Sequence, residues 1–293
     1  MSDPTAQTWT VLALLNWTKG YLAKADVGAP RLAAEVLLAH VLDCSRIDLY
    51  ARYDYPPSPE ELEAYRDLVR RAAAHEPVAY LVGHKEFYSL PFRVTPDVLI
   101  PRPETELLVA EAVAHLRARP DARWVWDACT GCGCVAVAVA ANVIEADVLA
   151  TDVSAPAVAL TRENADANDV GPRVRTAVAD LLARPAGVPD LPERFDVITG
   201  NPPYVADDAE VGEEVRFEPA LALRAGPDGL DRLRPLIAAA PEQLAPGGAL
   251  ILEFGYDQAD AVRDLICGTG RFAEPRILRD QAAIERAAVA VRK

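Results

Sequence analysis

The chain has 293 residues, 51% of them hydrophobic and 25% charged. That is a globular balance with enough apolar residues for a core in each of about two domains. A net charge of −14 and a pI of about 4.8 argue against a phosphate backbone as main partner, because such affinity rests on Lys and Arg. The cysteines, Cys44, Cys129, Cys132, Cys134 and Cys267, are odd in number and lack the spacing of a secreted scaffold. With no signal-like N-terminus and no long apolar run, the expectation is a reduced, cytoplasmic protein with no membrane contact, monomeric by default.

In chain order, residues 5–75 read as helical. Val11, Leu12, Leu14, Leu15, Tyr21 and Leu22 recur at helical spacing. A second periodic stretch runs from about Arg31 to Leu42 behind Pro30. A third follows Pro57 to Pro59, with Ser58 as its cap and Glu60, Glu61 and Glu63 suited to a helix N-terminus, and continues to about Ala74. His40 and His75 read as a core and a surface histidine rather than a metal pair. The expected first domain, 1–76, is a helical bundle that binds a partner or shapes a substrate.

Residues 77–100, broken by Pro77, Gly83, Pro91 and Pro96, read as a β-hairpin linker with β-like runs at Phe87-Tyr88 and Phe92-Arg93-Val94. Ile100 to Glu106 then leads into a helix ending near Leu116. Arg102 and Glu106 are candidates for a place near the site, although Pro and acidic residues at a helix start need no functional explanation. From Trp124 the alternation of apolar runs and helices predicts a parallel sheet, with strands near 124–128, 147–151, 174–178, 195–199, 248–254 and 286–292. The domain expected to carry it is 101–293. The polar segment Asp207 to Arg224 is expected to lie over the site.

Asn201-Pro202-Pro203-Tyr204 follows the run ending at Gly200, where a strand stops, and strand ends are where open α/β sheets bind ligands. The Asn side-chain oxygen and the Pro202 carbonyl are both acceptors, and the prolines offer no competing N–H. Tyr204 adds a flat face. The set suits a planar NH2 group, although Asn-Pro and Pro-Pro also occur as plain turns.

The first strand of the sheet runs into Asp127-Ala128-Cys129-Thr130-Gly131-Cys132-Gly133, whose small residues let a ligand approach the backbone. Asp152 follows at about 20 residues, the separation of a carboxylate that binds ribose hydroxyls. Three readings compete. Gly131-x-Gly133-x-x-Ala136 satisfies the loose dinucleotide pattern. Cys129, Cys132 and Cys134 place three thiols together but lack a fourth ligand, so no metal is expected. The third ligand is S-adenosylmethionine, which carries a nucleoside without a pyrophosphate; Asp127 suits its ammonium and Asp180 its adenine amino group. Asp180 would otherwise be a helix cap.

With these stretches, the chain resembles the class I S-adenosylmethionine-dependent methyltransferases. It is most similar to the HemK/PrmC family, which methylates the glutamine amide in the Gly-Gly-Gln tip of class I peptide chain release factors. The stretches that carry the resemblance are Pro77 to Gly83, Ile100 to Glu106, Asn201 to Val205, Glu218-Pro219 with Ala222-Leu223, Gly226 to Leu230, Leu252 to Gly255, and Arg279-Asp280 through Arg286 in the last strand region. The resemblance implies a Rossmann-like, mostly parallel, seven-stranded α/β sheet behind a helical domain that helps engage the release factor. It implies that Asp127, Cys129, Thr130, Gly131, Cys132 and Gly133 line the cofactor, that Asp152 holds its ribose, and that Asp180 and Leu181 sit by its adenine. Asn201 would meet both cofactor and substrate, and Pro202, Pro203 and Tyr204 would hold the glutamine amide, with S-adenosylhomocysteine as product. The chain departs from the family pattern at Cys129, where many members carry Gly, and at Cys132, where Ser or Thr is common. A Cβ at position 129 is easily accommodated only at negative φ. The rivals are an N6-adenine DNA methyltransferase, which uses the same turn on a flipped base but calls for a basic cleft, a ribosomal-protein or rRNA methyltransferase, and a catalytically inactive binding module.

Overall fold

A computed structural model describes residues 9–293; residues 5–8 of the expected helical stretch lie outside them. The chain forms two compact units. One runs up to Gly83 and takes in Val211–Phe217, and the other comprises His84–Glu210 and Glu218–Lys293.

The first unit contains α1 (Val11–Lys24), α2 (Pro30–Val41), α3 (Arg46–Ala51), α4 (Pro59–Ala73) and α5 (Val78–Val82). Leu14, Leu22, Leu37, Leu38, Leu49, Tyr65, Val69 and Leu81 meet in its core. Ser58 caps α4 as its sequence predicts: its hydroxyl accepts from Glu61 N at 3.2 Å, and the Glu61 carboxylate accepts from Ser58 N at 2.6 Å. Two short helices were not anticipated. Six-residue α3 is too short to show a period and is held by a capping box between Ser45 and Asp48. Five-residue α5 lies where β-like linker was expected and ends at Gly83, φ +76. The histidine assignments are corrected: His40 is exposed on α2, and His75, at φ +65 beyond α4, is half-buried.

The second unit opens with the expected hairpin, β1 (His84–Phe87) and β2 (Leu90–Arg93), joined by Tyr88 and Ser89, both at positive φ. Then come α6 (Glu106–Arg117), β3 (Trp124–Ala128), α7 (Cys134–Asn142), β4 (Asp147–Asp152), α8 (Ala155–Ala167), β5 (Val174–Val178), β6 (Phe195–Gly200), α9 (Leu233–Gln243), β7 (Leu244–Glu253), α10 (Ala259–Gly268), β8 (Arg276–Arg279) and β9 (Glu285–Val291). The main sheet has seven strands in the order β5-β4-β3-β6-β7-β9-β8. Its first five are mutually parallel, and β9 runs antiparallel to β7 and β8. Six strands lie where the apolar runs predict them. The seventh, β8, is a four-residue edge strand with no buried residue, so it has no apolar run to announce it.

α9 and α10 pack on one face over Trp126, Leu149, Ile198, Leu250 and Ala288. α6 and α7 lie together against the strands from the other side. α7 is apolar all round, and every residue from Cys134 to Ala140 is buried, as such a helix requires. β3 has β4 on one side and β6 on the other, so the winding direction reverses between β3 and β6. Crevices for ligands open at the carboxyl ends of strands at such a reversal.

Candidate active site

One cavity opens at that reversal. Its wall includes Asp127, Cys129, Thr130, Gly131, Cys132, Asp152, Asp180, Leu181, Asn201 and Pro203, ten of the expected site residues. Gly133, Pro202 and Tyr204 lie off the wall. Gly133 sits against Thr161, the Pro202 residue is buried within the turn, and Tyr204 packs toward the core. Arg102 lines the cavity and pairs with the buried Glu218 at 2.5 Å. Glu106 does not line it; its carboxylate accepts from Tyr88 N at 2.9 Å and so ties the hairpin turn to α6. From the polar segment after the turn, Pro219, Leu221 and Ala222 line the cavity, whereas Val211–Phe217 belongs to the first unit.

Three N–H groups of the glycine loop are used within the protein. Thr130 N donates to Thr151 O at 3.0 Å, Gly133 N to Thr130 O at 2.8 Å and Gly131 N to Asp152 Oδ2 at 3.0 Å. Ser154 N donates to the other oxygen of Asp152 at 2.9 Å. Asp152 thus fixes the loop to the end of β4 while its carboxylate edge lines the cavity. A pyrophosphate needs free backbone N–H groups and nearby cations. Here three loop donors, Thr130 N, Gly131 N and Gly133 N, are taken, and Asp127, Asp152 and Asp180 lie at the ends of three neighbouring strands. Of the two lining arginines, Arg102 is neutralised by Glu218, and Arg232 faces Asp180 at 3.4 Å. These walls disfavour the dinucleotide and favour a cationic ligand. A Cβ built on Gly131 would meet no heavy atom within 4 Å, so the floor of the cavity is open there. Among the described residues no group of three or more His, Cys, Asp or Glu is arranged to hold a metal ion.

Asp127 is 2% exposed, and its two oxygens accept from Thr130 Oγ1 at 2.6 Å and Thr199 Oγ1 at 2.7 Å. Burial outweighs both donors and pushes its pKa up to about 6. The folded state therefore holds this proton more tightly than the unfolded chain. Stability falls as pH rises from about 4 to about 6, by on the order of 3 kcal/mol, and the whole penalty is present at neutral pH. Asp127→Asn is accordingly expected to match or exceed the parent melting temperature at pH 7.5, with the advantage shrinking as pH drops through that window. Thermal unfolding across pH measures it; a variant that melts well below the parent at pH 7.5 would contradict it.

Cys129 takes φ +58, so the easy accommodation available at negative φ does not apply. The left-handed turn brings Thr130 N to Thr151 O, and an L side chain there costs roughly 1–2 kcal/mol. Burial and the carboxylates of Asp152, Asp127 and Asp180 push its thiol well above the usual range, leaving it protonated at neutral pH. Cys129→Gly should therefore not lower the melting temperature, since relief of the backbone offsets the roughly 0.5–1 kcal/mol entropic cost of glycine. A clear drop in a calorimetric scan would show that the thiol packing matters more.

Beyond Gly200 the turn is held by residues that sequence reasoning did not select. Asn201 Nδ2 donates to Thr105 Oγ1 at 3.3 Å, Thr105 Oγ1 donates to Glu253 Oε2 at 2.6 Å, and Tyr204 OH donates to Glu253 Oε1 at 3.1 Å. Glu253 is fully buried at the end of β7, and burial pushes its pKa up to about 7. A charged residue inside the apolar run Leu250-Ile251-Leu252-Glu253-Phe254 was the available signal.

This fold, its strand order and the cavity at its reversal are those of the class I methyltransferases. The catalytic domain of hMettl16, solved in complex with MAT2A 3'UTR hairpin 6, superposes with a TM-score of 0.55 over 75% of this chain and 81% of that one, at 16% identity. Residues 13–83 match the PrmC N-terminal domain and residues 104–259 the methyltransferase small domain. Release factor glutamine methyltransferases of Geobacter sulfurreducens and Rhodopirellula baltica are 44% and 40% identical; the alignments cover 96% of both chains in the first case and 95% of both in the second. That of Bordetella pertussis is 45% identical over 89% of this chain and 95% of its own length. The chain belongs to the release factor glutamine methyltransferase family.

Proposed function

We propose that this protein uses S-adenosylmethionine to methylate the side-chain amide nitrogen of the glutamine in the Gly-Gly-Gln tip of class I release factors, in support of translation termination in the cytoplasm. The observation that carries the reading is the orientation of Asn201. Its NH2 is committed to Thr105, so Oδ1 remains as an acceptor on a residue that lines a carboxylate-walled cavity.

The residues present fit the cofactor. Asp152 would hold the ribose, Asp180 and Leu181 the adenine, and Asp127 with the Cys129–Gly133 loop the methionine end; three carboxylates and an open floor at Gly131 suit a cationic nucleoside. When bound, S-adenosylmethionine would supply an electrophilic methyl group. The chain's own part is to present the nucleophile. Asn201 Oδ1 and the Pro202 carbonyl accept from the two hydrogens of the glutamine NH2, fix its rotation and draw its lone pair out of conjugation. Pro202 and Pro203 contribute no competing N–H. Both hydrogen bonds strengthen as the nitrogen becomes pyramidal and cationic. No strong base is needed, because the proton is acidic once the new N–C bond exists and leaves to water. Tyr204, off the cavity wall, serves this reading by anchoring the turn.

The first unit would engage the release factor. Trp17, Tyr21, Ile47, Tyr50 and Tyr53 are large side chains it leaves exposed. The acidic total supports a protein substrate rather than DNA, and we assign a monomer. No helix among the described residues is long and apolar enough to cross a membrane. The test offers labelled S-adenosylmethionine with a release factor, with its Gln→Ala variant at the tip, and with unmethylated DNA. Label on the first alone is expected. Label on DNA, or a DNA gel shift at physiological salt, would instead assign the turn to adenine.

A further inference from the structure

The Asn201–Tyr204 turn is held at both ends by one carboxylate. Glu253 receives Tyr204 OH at 3.1 Å directly and reaches Asn201 through Thr105, at 2.6 Å and 3.3 Å. Donor bookkeeping makes the arrangement one-way. An ionised carboxylate can only accept, so both hydroxyls must point their hydrogens at it. The Thr105 oxygen then has only lone pairs left for Asn201, which must present its NH2 and turn Oδ1 away. A neutral carboxyl has a hydrogen to give. If it donates to Thr105, the threonine hydrogen is free to point at Asn201, and the amide can flip with its NH2 toward the cavity.

We infer that Glu253, with Thr105 as its relay, is a positioning residue whose ionised form locks the Asn201 amide in the accepting orientation, and that proton uptake releases the lock. This rests on the reading of Asn201 proposed above. The groups facing Glu253 come from every element around it: Thr105 and Glu104 before α6, Tyr204 after β6, Arg286 on β9 and Cys134 on α7. Burial and Glu104 favour its protonated form, while the two hydroxyls and Arg286 favour the carboxylate; the balance falls near 7. The lock is therefore closed above neutrality and opens as pH falls below it.

The test reads the amide as well as the reaction. In the ¹⁵N-labelled protein, the Asn201 side-chain NH2 signals, assigned by their loss in Asn201→Ser, should titrate near pH 7. They should shift in Thr105→Val and stop titrating in Glu253→Gln, whose amide must donate to one hydroxyl and so reverses one branch. In release-factor methylation, the parent kcat should fall on the acid side of neutrality. Glu253→Gln should lose roughly tenfold to a hundredfold in kcat, with cofactor affinity unchanged and no acid limb; Thr105→Val should lose comparably and Thr105→Ser should recover. Amide signals indifferent to pH and to both variants, or a Glu253→Gln enzyme with the parent kcat and acid limb, would overturn the inference. If the signals behave as described but the parent methylates no release factor, the lock stands and the assigned reaction falls.

Discussion

Asn201→Ala is expected to lower kcat for release-factor methylation by about 10²- to 10³-fold, the loss typical of removing one preorganised hydrogen bond aimed at developing charge. An amide nitrogen in its planar ground state has little lone-pair density to offer. Accepting hydrogen bonds from its two hydrogens gains most when the nitrogen turns pyramidal and positive, so the oxygen of Asn201 acts mainly in the transition state. Such an interaction appears in kcat more than in binding. The fold should tolerate the change, because Asn201 is only half-buried and its one side-chain hydrogen bond, to Thr105, is long at 3.3 Å. Steady-state kinetics with calorimetric cofactor titration separate the cases. A variant with the parent kcat would remove Asn201 from the chemistry, and one that loses only cofactor affinity would make it a binding residue.

Gly133→Ala is expected to destabilise the second unit by roughly 2–5 kcal/mol, the sum of a left-handed alanine and an overpacked contact. Gly133 has φ +83, and a Cβ there would come within 2.7 Å of Thr161 Cγ2, 3.1 Å of its Oγ1 and 3.2 Å of its Cα. The threonine cannot step aside cheaply. It is fully buried on α8, and its hydroxyl donates to Gly131 O at 3.0 Å, so moving it also loosens the loop. Next to it Asn164 donates to Cys132 O at 2.8 Å and exchanges hydrogen bonds with the Arg93 backbone. The loop, α8 and the hairpin are thus one connected piece. The melting temperature should drop by roughly 5–15 °C, with weakened cofactor binding even in the folded fraction. A variant with the parent melting temperature would mean that the loop relaxes freely and does not hold the cavity floor.

What the sequence made legible follows from how strongly each feature is driven by local chemistry. Strands β3, β4 and β6 are buried along nearly their whole length, so they appear as apolar runs bounded by turn residues and could be placed closely. The cavity was legible because its residues sit at the ends of strands β3 to β6 in chain order: Asp127, Asp152, Asp180 and Asn201. α3, α5 and β8 were not, because four to six residues carry no period and their stability comes from caps and from neighbours distant in sequence. His40 was misplaced because a histidine inside an apolar-periodic stretch reads as buried, whereas the helix turns it outward. The link from Thr105 to Glu253 joins residues far apart in the chain; each lay in a stretch that resembled the family, but only the fold shows their hydroxyl and carboxylate in contact. The left-handed backbone at Cys129 likewise has no signal in a residue type that ordinarily takes negative φ.

The most direct measurement is tandem mass spectrometry of the release-factor peptide that spans the Gly-Gly-Gln tip, after reaction with this protein and S-adenosylmethionine. A single added methyl group on the glutamine side chain is expected, nearly absent when Asn201→Ala replaces the parent enzyme. A methyl group on another residue, or an unmodified peptide from an enzyme that binds the cofactor, would contradict it.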